Sequence, residues 1–190
     1  MKIVDILLKY RRKIIGIIII CAILFKIFIF NTKMLSIIHD TNGIIGLIII
    51  YSGVFFRTWA AGFFRKNKTL FTTGPYHLCR HPHNFGSILI GCGFTMLMNS
   101  PYIWIFVILF ILVIIPKIFS EERYLAALYQ DEYVKYKSQT GLFFPKRLSL
   151  AMLNCHWTMQ NWLFNKEYIT WIAVIVSSII IEAIQTITRS

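Results

Sequence analysis

The stretch FGSILIGCGFTMLMNSPYIWIFVILFILVIIPKIF, residues 85–119, contains two apolar runs separated by the tripeptide NSP at positions 99–101. The first run, 85–98, is short, whereas the second, 102–119, approaches the roughly 20 residues of a membrane span. Asparagine, serine and proline together favour a tight turn. The stretch therefore predicts a helical hairpin inside a membrane.

Three further apolar runs lie outside the hairpin, at residues 14–30, 43–64 and 168–187. Each has about the length of a transmembrane helix. The first contains Lys26, whose charge must then reach the interface along its flexible side chain. No small-residue cleavage site follows the first run, so we expect an uncleaved span and not a signal peptide. The five runs predict an all-α membrane protein with about five transmembrane helices. One domain covers residues 1–190, with a core at 43–145, an N-terminal span within 1–42 and an interfacial segment plus last span at 146–190.

The composition agrees with a membrane location. The chain is 57% hydrophobic with a mean hydropathy of +0.64, which is too apolar for an ordinary soluble domain. The formal net charge is +12, but the basic residues flank the apolar runs. Membrane lipids with anionic headgroups, and not nucleic acid, are therefore the expected partner.

The distribution of Lys and Arg predicts the orientation. With a cytoplasmic N-terminus, sixteen of the 20 basic residues fall in cytoplasmic segments, against only Lys33 and Arg189 on the other side. Residues 72–86 and 120–166 then share the cytoplasmic face, of the inner membrane if the protein is bacterial. Within the second segment, apolar residues recur at helical spacing from 125 to 136, which predicts an amphipathic helix lying on the membrane.

Acidic residues are distributed unevenly. None occurs between Asp40 and Glu121, so the basic residues of that interval, including Arg57 and Arg80, have no local carboxylate. Glu121 and Glu122 then begin an acidic group. Segments of opposite charge on either side of a hairpin can meet at its base, where a zwitterionic ligand would fit. Lys117 and Glu121 are four residues apart and lie on one helix face.

The loop TTGPYHLCRHPHNFG, residues 72–86, gathers one arginine, one cysteine and three of the five histidines. Its alternating His77, Cys79, His81 and His83 could ligate zinc or copper, and a plain polar loop at the headgroups is a second alternative. Pro82 interrupts the alternation, and metal ligands usually come from separate elements. We therefore predict no metal site. Nearby, the glycines of GCG at 91–93 favour close packing between helices. A close approach of the cofactor to these glycines is the second interpretation.

Four motifs occur in order: G-x-Y at 74–76, R-H-P-x-N-x-G at 80–86, E-E at 121–122 and E-Y-x-x-Y at 132–136. Together they resemble the isoprenylcysteine carboxyl methyltransferase family and its phospholipid methyltransferase relatives, from about residue 43 to residue 145. The resemblance implies an integral membrane fold that binds S-adenosylmethionine at the cytoplasmic face. No G-x-G-x-x-G of a dinucleotide-binding fold occurs.

The resemblance also implies roles for particular residues. The positions that match the family's cofactor-binding stretches are Thr69, Leu70, Tyr76, His81, Pro82 and Glu121, with Arg80, Asn84 and Glu122 in the same motifs. Arg80 or His81 would hold the cofactor's carboxylate, and Glu121 or Glu122 its ammonium or ribose diol. Lys117 falls where the family has a substrate-contacting arginine. No catalytic residue is assigned.

Two positions depart from the family pattern. Asn84 stands where the family has tyrosine, which removes an aromatic wall from the cofactor site. Lys117 stands in place of arginine, so it keeps the charge but loses the planar two-pronged grip on a carboxylate. The second departure weakens the assignment of a prenylcysteine carboxylate as the acceptor.

The expected function is methyl transfer from S-adenosylmethionine to a lipophilic acceptor, which is a prenylated thiol-acid, a lipid headgroup or another amphiphile. A carboxylate acceptor needs no base, whereas an ammonium acceptor must first lose a proton. Alternatives are a phospholipid N-methyltransferase, an NADPH-dependent membrane reductase of related architecture and a non-catalytic membrane scaffold.

Overall fold

The computed structural model describes residues 39–63, 70–99, 101–146 and 157–189, together with 35–37 and positions 10, 14, 17, 18 and 21. Within these ranges the chain forms helices and no strand, apart from an isolated parallel bridge between Cys79 and Gly141. The predicted all-α fold is confirmed. The predicted first span, 14–30, lies almost wholly outside the described residues.

Six described α-helices follow one another along the chain. They are α1 (Thr41–Phe63), α2 (Pro75–Leu78), α3 (Pro82–Leu97), α4 (Trp104–Gln139), α5 (Met159–Phe164) and α6 (Tyr168–Arg189). A 3₁₀ turn, Pro101–Ile103, precedes α4. Among the described residues, three helices are long and apolar enough to cross a membrane, namely α1, α4 and the Tyr168–Thr186 part of α6.

The hairpin predicted from residues 85–119 is formed by α3 and α4. The chain turns at Asn99, which has a φ of 48°, and resumes at Pro101. Helix α3 contains 16 residues and is therefore about 24 Å long, which is shorter than the hydrocarbon core of about 30 Å. The predicted third span is thus a helix, but a short one.

Helices α1 and α3 pack through facing glycines. A Cβ added at Gly53 would lie 2.5 Å from the carbonyl oxygen of Gly86, and one at Gly93 would lie 2.6 Å from that of Gly46. Only glycine permits this backbone approach, as is common between membrane helices. The prediction that Gly93 serves packing is confirmed, whereas the space beside Gly91 is open.

Helix α4 continues past the point where the sequence predicts a separate surface helix. It runs from Trp104 to Gln139 and has non-helical backbone angles only at Gln130, whose φ is 43°. No glycine or proline occurs between Lys117 and Gln139, so nothing stops the helix at residue 120. Glu121 and Glu122 therefore belong to the same helix as the membrane part of α4, and the amphipathic stretch at 125–136 follows without a loop, with a kink at Gln130.

The end of α1 is closed by the segment around α5. Trp157 Nε1 donates to the Thr58 carbonyl at 3.1 Å, Asn161 Nδ2 donates to the Gly62 carbonyl at 3.1 Å, and Asn165 Nδ2 donates to the Ala61 carbonyl at 2.9 Å. The two asparagines satisfy carbonyls that the last turn of a helix leaves without partners, whereas Trp157 adds a bond to a carbonyl one turn earlier. They also bring the start of α6 against the end of α1.

Candidate functional site

The loop at residues 72–86 folds into two short turns that begin α2 and α3. Gly74 has a φ of 60° and a ψ of −134°, a conformation that suits glycine. A Cβ at this position would lie 2.6 Å from the ring of Phe63. Pro75 and Pro82 each stand in the first turn of a helix, where proline's missing N–H is no loss. Residues 79–81 are thereby left as an extended link between the two helices.

This link is held against the end of α4. The Arg80 N–H donates to the Gly141 carbonyl at 2.9 Å, and the His81 N–H donates to the Leu142 carbonyl at 3.3 Å. The Tyr136 hydroxyl donates to the Tyr76 carbonyl at 2.7 Å. The basic loop and the end of α4 therefore form one unit.

Arg80 and Glu122 form a buried ion pair at the centre of this unit. Arg80 Nε donates to Glu122 Oε1 at 2.7 Å, and its NH1 donates to the carbonyls of Lys137 and Thr140. Lys137 Nζ lies 2.9 Å from the second Glu122 oxygen. The prediction that oppositely charged segments meet at the base of the hairpin is confirmed.

His81 lies between Glu121 and Glu122 of α4. Its Nδ1 is 3.8 Å from Glu121 Oε2 and its Nε2 is 3.6 Å from Glu122 Oε1, and the side chain is 7% exposed. Burial lowers the pKa of His81, and Arg80 adds to this effect, although the two carboxylates oppose it. Nε2 is buried and makes no hydrogen bond to any described residue. The nearest acceptor, Glu122 Oε1 at 3.6 Å, lies just beyond hydrogen-bond distance, so either a small shift of these side chains or a ligand would satisfy this nitrogen.

The two residues that depart from the family pattern contact each other. Lys117 Nζ donates to Asn84 Oδ1 at 3.0 Å and lies 3.5 Å from Glu121 Oε1. The prediction that Lys117 and Glu121 lie on one helix face is confirmed. We refer to the group on this side of α3 as the α4-side cluster, which consists of Arg80, His81, Asn84, Lys117, Glu121, Glu122 and Lys137.

A second polar group lies where the first turns of α3 meet α1 and the start of α6. Arg57 donates to both carboxylate oxygens of Glu167, at 2.7 and 3.1 Å, and also to the hydroxyls of Ser87 and Thr170. Glu167 is 4% exposed. Its Oε1 also lies 3.5 Å from Nε2 of His83. We refer to Arg57, His83, Ser87, Glu167 and Thr170 as the α6-side cluster.

The histidines of the loop diverge. His81 faces the α4-side cluster and His83 the α6-side cluster, whereas a metal site would require them to converge. Burial raises the pKa of the Cys79 thiol to about 12, so the thiol stays protonated and is a poor metal ligand. In the described ranges, no group of three or more His, Cys, Asp or Glu residues is placed to hold a metal ion.

The remaining predicted site residues are Pro82, Tyr76, Leu70 and Thr69, none of which belongs to the α4-side cluster. Pro82 is buried at the start of α3, and Tyr76 lies in α2, where burial raises the pKa of its hydroxyl. Leu70 is half-buried just before the loop. Thr69 lies outside the described residues. Sequence reasoning missed Glu167, although it is the only acidic residue between Glu132 and Glu182.

Comparison with known proteins gives one family and two curated relatives. The sequence model of the phospholipid methyltransferase family matches residues 37–132. The chain is 31% identical over 146 residues to the cobalt-zinc-cadmium resistance protein CzcN of Cupriavidus metallidurans, and the match covers 75% of this chain and 65% of the relative. It is 26% identical over 147 residues to the nickel-cobalt-cadmium resistance protein NccN of Alcaligenes xylosoxydans xylosoxydans, covering 76% of this chain and 67% of that protein. The chain thus spans about two thirds of their length. No solved structure is significantly similar.

Proposed function

Because the chain belongs to the phospholipid methyltransferase family, we propose that it is a membrane methyltransferase that uses S-adenosylmethionine and acts on a lipophilic acceptor. The motifs at residues 74–86 and 121–136 support the resemblance to isoprenylcysteine carboxyl methyltransferases within this group. The acceptor would reach the site from the bilayer, where three apolar helices are available to surround it.

The observation that carries the proposal is the environment of His81. Its imidazole lies between Glu121 on the Nδ1 side and Glu122 on the Nε2 side, and the buried Nε2 makes no hydrogen bond to a described residue. A buried polar atom left without a partner costs about 1–3 kcal/mol of stability. Bound S-adenosylmethionine would supply the missing partner, since it carries both a carboxylate and hydrogen-bonding hydroxyls.

The contacts divide the predicted cofactor residues into two kinds. Arg80 and Glu122 bind each other and the end of α4, so we assign them to holding the site together. Glu121 is 43% exposed and lies within 4 Å of both His81 and Lys117. Glu121 would receive the cofactor's ammonium or ribose diol, and His81 its carboxylate.

Methyl transfer is an in-line displacement at carbon, and the bound cofactor supplies the methyl group as a sulfonium. The protein's contribution is to fix the two reactants in line and to exclude water, which can supply most of the rate. Helix α4 suits this role because one continuous element carries both the apolar surface and the glutamates. Lys117, at the junction of the two, would contact the acceptor.

We also propose that the α4-side cluster faces the cytoplasm, on the basis of the distribution of Lys and Arg. Cysteine labelling of intact cells tests this orientation at Lys137, which is exposed at the end of α4. A Lys137→Cys variant should resist a membrane-impermeant maleimide until the cells are opened. Rapid labelling from outside would contradict the orientation.

Ligand binding tests the function most directly. Purified protein in detergent should bind S-adenosylhomocysteine in isothermal titration and should be stabilised by it in a thermal-shift assay. NADPH should have no effect. Binding of NADPH but not of S-adenosylhomocysteine would favour a membrane reductase, and binding of neither would favour a scaffold.

A further inference from the structure

The kink in α4 at Gln130 is sharp enough to turn the helix back on itself. Glu122 and Lys137 are 15 positions apart, so their backbones would be about 22 Å apart in a straight helix. Lys137 Nζ nevertheless lies 2.9 Å from Glu122 Oε2, although the two extended side chains together span only about 10 Å. The helix therefore reverses at Gln130, which has a φ of 43° and a ψ of −118°. We refer to residues 131–139 as the return arm.

The return arm brings Tyr133 back to the α4-side cluster. Tyr133 is 2% exposed, and its hydroxyl is within electrostatic reach of Glu122 and Arg80. The hydroxyl is buried and makes no hydrogen bond to a described residue. The same is true of His81 Nε2, which lies 3.6 Å from Glu122 Oε1. Two buried polar atoms that lack such a bond thus lie beside one carboxylate.

We propose that Tyr133 is a further cofactor-binding residue, and that its hydroxyl and His81 Nε2 together donate hydrogen bonds to the carboxylate of the cofactor's amino-acid group. This inference rests on the proposed methyltransferase function. It adds to that function a residue to which the family resemblance assigns no role, and it locates the amino-acid end of the cofactor under the return arm.

The charges around the two atoms suit one added carboxylate. Arg80 Nε lies 2.7 Å from Glu122 Oε1, and Lys137 Nζ lies 2.9 Å from Glu122 Oε2. Two cations therefore accompany one anion, and a net positive charge remains for a ligand. A tyrosine O–H and an imidazole N–H are both donors, which an ionised carboxylate requires because it only accepts hydrogen bonds.

A structural role explains the hydroxyl of Tyr136 but not that of Tyr133. The Tyr136 hydroxyl donates to the Tyr76 carbonyl at 2.7 Å and so joins the return arm to the loop. Phenylalanine would fill the space of Tyr133 without burying an unpaired hydroxyl, which costs stability. The alternative is a hydrogen bond from Tyr133 to Glu122 after a small shift of either side chain, which would make this hydroxyl a structural contact as well.

The cofactor reaches these atoms only when the return arm moves. His81 and Glu122 are 7% and 6% exposed, and the arm contacts Glu122 through Lys137. A residue other than glycine is strained at the backbone angles of Gln130. The arm can therefore open at this position, and a ligand that bonds to Tyr133 should hold it closed.

The test measures ligand binding to the purified full chain in detergent, with S-adenosylhomocysteine and 5′-methylthioadenosine as probes. Methylthioadenosine keeps the adenosine and the thioether but lacks the amino-acid group. Tyr133→Phe should weaken the binding of S-adenosylhomocysteine about tenfold, the low end for a hydrogen bond to a charged group. It should change the affinity for methylthioadenosine less than twofold, because that probe has no carboxylate to lose.

Tyr136→Phe is the matched control, because it removes a hydroxyl that already has a partner in the free protein. Without ligand, Tyr136→Phe should lower the midpoint of denaturant unfolding, whereas Tyr133→Phe should leave the midpoint unchanged or raise it. Trypsin cleavage at Lys135, which is exposed on the return arm, reports the opening of the arm. A fixed concentration of S-adenosylhomocysteine should slow this cleavage in the unchanged protein more than in Tyr133→Phe.

The outcomes separate this inference from the proposed function. If Tyr133→Phe binds S-adenosylhomocysteine within twofold of the unchanged protein, the role of Tyr133 is overturned and the methyltransferase stands. A fall of the unfolding midpoint as large as that of Tyr136→Phe would assign the hydroxyl to Glu122 and would also overturn the proposal. So would equal losses of affinity for the two probes, since Tyr133 would then not contact the amino-acid group. Failure of the unchanged protein to bind S-adenosylhomocysteine would remove the proposed function together with this inference.

Discussion

The two polar clusters are built around the same interaction, an arginine–glutamate pair, and differ in whether a buried polar atom remains without a hydrogen bond to a described residue. Each contains a buried Arg–Glu pair with a 2.7 Å contact, Arg80–Glu122 in one and Arg57–Glu167 in the other. The α4-side pair holds a loop to the end of a helix through backbone carbonyls. The α6-side pair joins side chains from three helices.

The difference supports assigning the proposed cofactor to the α4-side cluster and a structural role to the Arg57–Glu167 pair. In the α4-side cluster, a buried imidazole nitrogen remains without a hydrogen bond to any described residue. In the α6-side cluster, the arginine and the glutamate satisfy each other, and the half-exposed His83 is attached to them. A buried polar atom without a hydrogen bond is a candidate ligand contact. A buried ion pair whose two members satisfy each other instead fixes the relative positions of the helices.

The largest expected effect is on the free energy of unfolding and follows from breaking the Arg57–Glu167 pair. Arg57→Ala leaves the carboxylate of Glu167 buried without a cationic partner, because His83 is uncharged. Breaking a buried pair in this way should lower the free energy of unfolding by about 3–5 kcal/mol. Arg80→Ala should cost less, since Glu122 keeps Lys137 at 2.9 Å. Denaturant unfolding in detergent compares the two.

The double variant Arg57→Ala/Glu167→Ala sharpens this comparison. It removes both charges, so it should be more stable than Arg57→Ala alone. Arg123→Ala, at an exposed position of α4, is the control and should change stability by less than about 0.5 kcal/mol. Equal losses from Arg57→Ala and Arg80→Ala would show that the two pairs are not different in kind.

The second effect is on cofactor affinity and distinguishes the histidines. His81→Ala removes the buried nitrogen that faces the proposed ligand, and a hydrogen bond to a charged group is worth about 1.5–3 kcal/mol. The affinity for S-adenosylhomocysteine should therefore fall about 10- to 100-fold in isothermal titration. His77→Ala and His83→Ala should be nearly silent. Similar losses at all three histidines, with stoichiometric zinc or copper by elemental analysis, would instead support a metal site.

The sequence predicted the α4-side cluster better than the α6-side cluster for a physical reason. Lys117 and Glu121 are one helical turn apart, so their contact follows from local geometry. The meeting of the basic loop with the acidic group also follows, from charge balance, because the loop contains no acid of its own, although the sequence did not predict that Arg80 pairs with Glu122. Both predictions use only the order of charges along the hairpin.

The partner of Arg57 required information that periodicity does not contain. Glu167 is 110 positions away, and its approach depends on how α5 closes the end of α1. The signal that was available is chemical, since an arginine inside an apolar run needs a carboxylate. Glu167 is the only acidic residue between Glu132 and the last span's Glu182. The sequence predicted that the helix continues to Glu121, but not that it joins the amphipathic stretch at 125–136 without a loop.

A smaller effect on affinity tests whether Glu121 faces the ligand. Glu121→Gln keeps the shape of the side chain and removes its charge beside His81 and Lys117. Because this carboxylate is partly exposed, we expect a loss of about tenfold in affinity for S-adenosylhomocysteine, near the low end for a charged hydrogen bond. Asp131→Asn, on an exposed part of the same helix, is the matched control and should change affinity less than twofold. Equal losses would remove Glu121 from the site.

The smallest expected effect concerns Asn84 and Lys117, the two departures from the family pattern. Lys117 Nζ donates to Asn84 Oδ1 at 3.0 Å, so either substitution by alanine breaks the same bond. In a double-mutant cycle on the free energy of unfolding, the two should be coupled by about 1 kcal/mol, as residues in contact are. Asn84→Ala combined with Asp131→Ala should be additive, because Asp131 lies on the exposed part of α4. Coupling would mean that the two departures act as one replacement, in which a lysine and an amide together take the place of arginine and tyrosine. Additivity of Asn84→Ala and Lys117→Ala would mean that the two departures are independent, and that Asn84 does not belong to the α4-side cluster.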